Sequence, residues 1–394
     1  MVPAHVGRAA VPVYHPILAC RRGELAALRH LDSSAAARLA PVLDVSMVDD
    51  AVAESIARLP PGLLPAVDVT ALPDGADTEL ARWNVPLVPV AGLADSDTRL
   101  AAHGLAARVY AGRLVVRLRV GSDRAGPDAT TAAVERIWRL TRLVPEQCEL
   151  LVDAGDVCCP ADVRLAEPRV RRLVGWARRH AWRAVTVAAG GLPPTLSGYP
   201  TDEPVRLERW DWLLWRRLAD LGVRYGDYAV GCAVPGGDAA GDRLPTVRYT
   251  TDSAWWLYRW SRRGGRGDER VADLCRTLVS AAHWPADGAS FSWGDHEILR
   301  RARRVAGAGS TTNWAAWSTS HHLAHVLRQL QQPAGQDEAG KQPTRGHRPG
   351  GWPLGERRDW ARHGGERRGA GWQAGPERGR PARPRWDGEA GRAG

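Results

Sequence analysis

From Val11 to Pro235 the chain repeats one unit eight times: a Val/Leu-rich run of strand length, a turn, then a stretch with helical spacing. Strands alternating with helices pair in parallel, and eight such units close a sheet into a barrel. The expected fold class is α/β, a (β/α)8 TIM-like barrel, with an appended C-terminal α+β module and a disordered tail. Expected strands are Val11 to Leu18, Leu39 to Val45, Leu63 to Val69, Pro86 to Val90, Arg113 to Val120, Glu149 to Ala154, Ala184 to Ala188 and Tyr228 to Val234. Helical spacing marks Gly23 to Leu31, Val48 to Leu59, Ala129 to Leu143, Val170 to His180 and Leu207 to Leu221. In such a barrel the chemistry belongs to the loops after the carboxyl ends of the strands.

The repeat sets the expected boundaries: an N-terminal arm (residues 1–10), the barrel (11–235), a module packed on it (236–332) and a tail (333–394). The module combines a strand-like VRYTT (Val247 to Thr251), an aromatic cluster (Trp255, Trp256, Tyr258, Trp260), a helical stretch from Glu269 to Ala282, and a final helix opened by Ser320. The tail holds 15 glycines and 7 prolines in 62 residues without apolar periodicity, so it buries too little surface to offset its ordering entropy. It also carries 13 Lys/Arg against 8 Asp/Glu, half of the chain's net charge of +10. The remaining 332 residues are only mildly basic, which permits nucleic-acid contact but is also what a solvated surface looks like.

Six cysteines with no CxxC spacing argue against a zinc ribbon or a disulfide framework. No apolar run is long enough to span a bilayer, and the first twenty residues make a poor secretory signal, so no membrane partner and a cytoplasmic location are expected. No P-loop, strand-linked GxGxxG or GxSxG elbow occurs; Ala189, Gly190 and Gly191 after the seventh strand are a weak phosphate-loop signal.

Three strands end alike, as PVLD (Pro41 to Asp44), PAVD (Pro65 to Asp68) and LLVD (Leu150 to Asp153). Pro89 holds the equivalent place in the fourth strand, and Arg117, within LVVRLRV, in the fifth. Asp44, Asp68 and Asp153, with Arg117 and Arg119, are thus expected at one rim. Such carboxylates can hold a divalent cation such as magnesium or act as general acid and base, while a guanidinium can clamp a phosphate. The competing reading is that the aspartates cap the following helices and pair with arginine. WAAWSTSHHLAHVL (Trp314 to Leu327) places His321 and His325 four apart beside His322; this spacing alone is weak evidence for a metal, and the same histidines can serve as acid and base.

The motif order YHPIL, RRGE (Arg21 to Glu24), PVLD, AAGGLP (Ala188 to Pro193), RLERWDWLLW (Arg206 to Trp215), YGDY (Tyr225 to Tyr228), RYTT (Arg248 to Thr251), FSWGD (Phe291 to Asp295) and WAAWSTSHH (Trp314 to His322) resembles the phage beta-protein family, named for a T-even phage protein and widespread in bacteria. The resemblance spans about residues 11 to 330. It implies one continuous unit in which the late module belongs to the barrel, and it implies no established activity. Matching adds Glu24, Asp227, Tyr228, Tyr249 and Asp295 as ligand-site positions beside Asp153 and His321 or His322, and Arg21 joins the ligand-site set. Relatives read PILK-x-K-x-GE, whereas here Ala19 and Arg21 hold the two lysine positions.

Two function classes follow. In the first, the rim binds or hydrolyses a phosphorylated or nucleotide-like ligand, with Asp44, Asp68 and Asp153 as acid, base or metal ligands, Arg117 as anion clamp, and His321 or His322 brought over the mouth by the module. In the second, a non-catalytic factor in phage and host conflict binds nucleic acid or protein through the aromatic and arginine-rich surface from Trp255 to Arg266, including Arg262 and Arg263.

Overall fold

A computed structural model of the chain describes residues 13–46, 50–74, 80–81, 83–120, 127–234, 244–261 and 267–332. The expected arm, the Arg262, Arg263 and Arg266 cluster and the expected disordered tail lie outside the described residues. In chain order the strands are β1 (Tyr14–Ala19), β2 (Val42–Asp44), β3 (Ala66–Asp68), β4 (Val88–Gly92), β5 (Leu114–Arg119), β6 (Cys148–Asp156), β7 (Ala184–Gly190), β8 (Pro204–Glu208), β9 (Arg224–Asp227), β10 (Thr246–Thr250) and β11 (Ala254–Arg259). The helices are α1 (Arg22–Arg29), α2 (Ser33–Arg38), α3 (Asp50–Ala57), α4 (Asp97–Tyr110), α5 (Pro127–Thr141), α6 (Pro160–Ala177), α7 (Trp210–Arg217), α8 (Gly267–Val279), α9 (Trp293–Ala302) and α10 (Thr311–Gln329).

Strands β1 to β7 and β9 form a closed parallel barrel, sealed where Tyr14 pairs with Tyr225 and Pro16 with Asp227. The period-2 pleat sorts each strand onto two faces. In β5, Leu114, Val116 and Leu118 pack outward with the helix layer, while Val115 joins Ile17, Val42, Ala66, Val88, Val90, Leu151 and Ala188 in an apolar interior. Arg117 and Arg119 continue that inward face toward the carboxyl rim.

The eighth strand is shorter and earlier than the apolar run from Tyr228 to Val234 predicts. Its Gly226 presses against its neighbours: an added Cβ would stand 2.8 Å from the His15 carbonyl and 2.9 Å from Ala188 Cβ. Beyond Asp227 the chain turns at once, because the Asp227 carboxylate accepts the Ala229 amide at 2.9 Å and Ala229 takes a φ of 45°. The run from Tyr228 to Ala233 lines the mouth, with Tyr228, Ala229 and Val230 packed into the apolar cores beside it.

The aromatic cluster is strand, not surface. β11 sits between β10 and β8 in an antiparallel sheet, so the module draws β8 from between two barrel strands. Trp255 and Tyr258 are wholly buried and Trp260 nearly so. The last helix is also a full two turns longer than a start at Ser320 predicts: Ser310 caps it, its hydroxyl accepting the Asn313 amide while the Asn313 side chain returns to the Ser310 amide. This α10 packs on α1 and places Leu323, Val326 and Leu327 in one core with Tyr14, Leu18, Leu25 and Leu28. It therefore fills the wall position of the barrel's eighth helix, reached only after the β10 to α9 excursion. No helix among the described residues is long and apolar enough to cross a membrane.

Candidate functional site at the barrel mouth

Asp44 and Asp68 pair side by side in the β2 and β3 register, and Asp153 lies opposite on β6 beside Arg119. Arg117 reaches up between them. Its Nη1 donates to Asp44 Oδ1 at 2.7 Å and to Asp68 Oδ2 at 2.6 Å, its Nε to Asp153 Oδ2 at 3.0 Å, and its Nη2 to the Tyr228 hydroxyl at 2.7 Å. Tyr228 in turn donates to Asp153 Oδ2 at 2.6 Å. Arg119 follows from above, 3.3 Å from both Asp68 Oδ2 and Thr70 Oγ1. The aspartates are not helix caps. Asp68 accepts the Thr70 amide at 2.9 Å and Asp153 the Gly155 amide at 3.0 Å, local turns that fix each carboxylate toward the arginine.

This geometry revises two roles expected of the rim. Every polar edge of the Arg117 guanidinium is engaged, so Arg117 organises the carboxylates rather than clamping a ligand. The same guanidinium fills the space between the three aspartates, where a magnesium ion would have to sit. The donor set suits the arginine cation, and among the described residues no three His, Cys, Asp or Glu side chains are placed to hold a metal ion together.

The three carboxylates differ in access. The Asp68 and Asp153 side chains are 2% and 3% exposed, whereas Asp44 is 40% exposed. Burial beneath the rim pushes Asp44 up to about 6 against the pull of Arg117, and the Asp68 charge adds to the rise. At Asp68 burial acts the same way but is outweighed by Arg117, Arg119 and the Thr70 bonds, which hold it below the usual carboxylate range. Burial and the Asp153 charge keep the Tyr228 phenol protonated. The cage thus holds two hidden aspartates, Asp68 and Asp153, and one accessible aspartate, Asp44, that burial raises to about 6.

Above the cage opens a cavity of about 710 Å³ lined by Arg21, Glu24, Asp44, Arg117, Arg119 and Arg248 among others. Glu24, in the first turn of α1, is raised by burial despite Arg21 and Arg248 beside it. Arg248 and Thr319 come from the module, so β10 and α10 complete one side of the mouth. Arg248 stands in the RYTT motif, whose aromatic and hydroxyl side chains carry the stronger sequence signal.

The remaining predicted residues fall elsewhere. Asp227 points outward from β9, where it accepts hydrogen bonds from Tyr14 at 2.6 Å and Tyr225 at 2.9 Å and meets His322 Nε2 at 2.8 Å. Thr250 holds the other His322 nitrogen at 2.8 Å. His321 stacks on Tyr249 and pairs with Asp295 at 2.9 Å, and Tyr249 donates to Asp295 at 2.7 Å. Both clusters are buried, the first joining β1 and β9 to the module and the second inside the module. His321 and His322 are therefore not among the residues that line the mouth. His325 is also buried, beside Asp252 at 3.2 Å, and burial lowers it to about 4. The glycines after the seventh strand serve packing. Gly190 admits the Asp156 carboxylate, which an added Cβ would crowd at 2.5 Å, and Gly191 admits Asp211.

No curated relative matches the chain. Among solved structures it is similar to the biosynthetic arginine decarboxylase SpeA from Campylobacter jejuni at 12% identity and a TM-score of 0.35, with 81% of this chain and 56% of that chain covered. The chain thus spans little more than half of that decarboxylase. It is also similar to a truncated 3-deoxy-D-arabino-heptulosonate 7-phosphate synthase from Thermotoga maritima, at 12% identity and a TM-score of 0.28 over 54% of this chain and 90% of that one. The family described as Beta protein matches residues 14–328, from the first barrel strand to the end of the wall helix. The chain belongs to the Beta protein family.

Proposed function

We propose that the barrel mouth is an active site for a small phosphorylated or nucleotide-like ligand, with Asp44 moving the proton and Arg21, Arg119 and Arg248 receiving the anionic group. The observation that carries this reading is the asymmetry of the cage. One arginine hides two carboxylates and leaves the third, Asp44, 40% exposed to the cavity and raised to about 6. A carboxyl group that titrates near the working pH is suited to give and take a proton within one reaction. Arg117 is the positioning residue: it fixes Asp44 at 2.7 Å and is itself steered by Asp153 and Tyr228. A cavity of about 710 Å³ accommodates a nucleotide-sized molecule.

Incubating the protein with nucleotides and sugar phosphates, followed by mass spectrometry of products and calorimetric binding, tests the proposal. Asp44→Asn is expected to lower turnover about 100-fold or more while binding persists, and Arg119→Ala to weaken binding about tenfold. Unchanged turnover and binding in both variants would remove the mouth from consideration. Binding that persists in the parent without any turnover would favour the non-catalytic class. The nucleic-acid form of that class has less support, because Trp255, Tyr258 and Trp260 are packed inside the module and cannot stack on bases.

A further inference from the structure

The opposite end of the barrel carries a second cavity, of about 410 Å³, that the mouth chemistry does not use. Its floor is the apolar layer of Ile17, Val42, Ala66, Val88, Val115 and Leu151, which separates it from the carboxylate cage. Its polar lining is lopsided. Arg113, Arg183 and Arg224 enter from the amino-terminal ends of β5, β7 and β9, and one carboxylate, Glu149 of β6, faces them. Glu149 meets Arg183 Nε at 3.5 Å and Arg113 Nη1 at 3.9 Å, distances longer than a good charge-assisted hydrogen bond. Buried His15 on β1 places its Nε2 3.4 Å from the same carboxylate. Three guanidinium groups and an imidazole therefore share one acid.

We propose that this lower cavity is an anion site for phosphate or a compact phosphomonoester, held by Arg113, Arg183 and Arg224. The arginine trio less Glu149 leaves two positive charges, which matches a dianion. The electrostatics agree: burial lowers Arg113 with help from the Arg183 charge, and burial also lowers Arg224, with Arg183 adding to it against Glu149. An anion between them would relieve that mutual repulsion. Because this end of such a barrel does not host the chemistry, the site would be structural or regulatory.

Calorimetric titration of the full chain with inorganic phosphate is the test. The parent should show a saturable event that the double variant Arg183→Ala, Arg224→Ala loses and that Arg21→Ala, Arg119→Ala at the mouth retains. If the mouth also takes phosphate, the parent binds two equivalents and each double variant one, so failure of one site is distinguishable from failure of the other. Glu149→Gln removes the competing charge and should tighten the lower event about tenfold, a gain that a misfolded variant cannot mimic. Absence of a saturable event in the parent at millimolar phosphate would overturn the proposal. So would a phosphate stoichiometry that the Arg183→Ala, Arg224→Ala pair leaves unchanged.

Discussion

At the scale of single residues, the mouth depends on who compensates whom. Removing Arg117 takes the counter-charge from buried Asp153 and leaves buried Asp68 only the longer contact to Arg119. Breaking a buried pair by deleting one partner is far costlier than a surface change, so Arg117→Ala should lower unfolding stability by about 3–5 kcal/mol in urea titrations. Asp44→Asn, at a 40% exposed position, should cost under about 1 kcal/mol. Its effect also carries a sign in pH. A folded-state value raised to about 6 means Asp44 favours the fold below its unfolded value of about 4 and loses that contribution as pH rises through about 6. Asp44→Asn should therefore gain on the parent in stability between about pH 4 and pH 7. The aspartates themselves were legible in the sequence, because PVLD, PAVD and LLVD repeat one register. The role of Arg117 was not, since a motif shows that an arginine is at the rim but not that four groups already occupy it.

At the scale of elements, the strands were legible through their Val/Leu runs, while the eighth helix was hidden by the long excursion between β9 and α10. The spacing of His321, His322 and His325 suggests acid and base chemistry on α10, yet polar groups can be buried when partners are supplied, as Asp227 and Thr250 do for His322. Leu323→Ala in α10 should cost about 2–5 kcal/mol, as for a core leucine of the barrel, whereas Leu105→Ala, at an exposed position of α4, should stay within about 0.5 kcal/mol. Equal losses at the two positions would contradict the assignment of α10 to the wall. At the barrel seam, Gly226→Ala would push a methyl group against the His15 carbonyl and Ala188. A cost of about 1–3 kcal/mol, with faster amide exchange along β1 and β9, is the expected signature.

At the scale of the whole molecule, an apolar barrel interior separates a carboxylate-rich upper rim from an arginine-rich lower end, and the module closes both the wall and one side of the mouth. Acid sensitivity should follow from groups spread through this body. His325, lowered to about 4 by burial, favours the fold above its unfolded value of about 6.5 and loses that contribution as pH falls toward 4. Asp68, Asp227 and Asp295, all held low despite burial, add a further loss below about pH 4. Thermal midpoints should fall steadily on acidification from about pH 6.5, with Asp44 opposing the trend only in part. The central claim, that the cage exposes one aspartate tuned for proton transfer, is tested most directly by carbon-13 NMR titration of the aspartate carboxyl carbons in the parent and in Asp44→Asn. The account predicts one carboxyl resonance with a midpoint near 6, absent from Asp44→Asn and displaced by a phosphorylated ligand. If every aspartate carboxyl titrates below about 5, Asp44 is an ordinary acid and the proposed chemistry at the mouth is wrong.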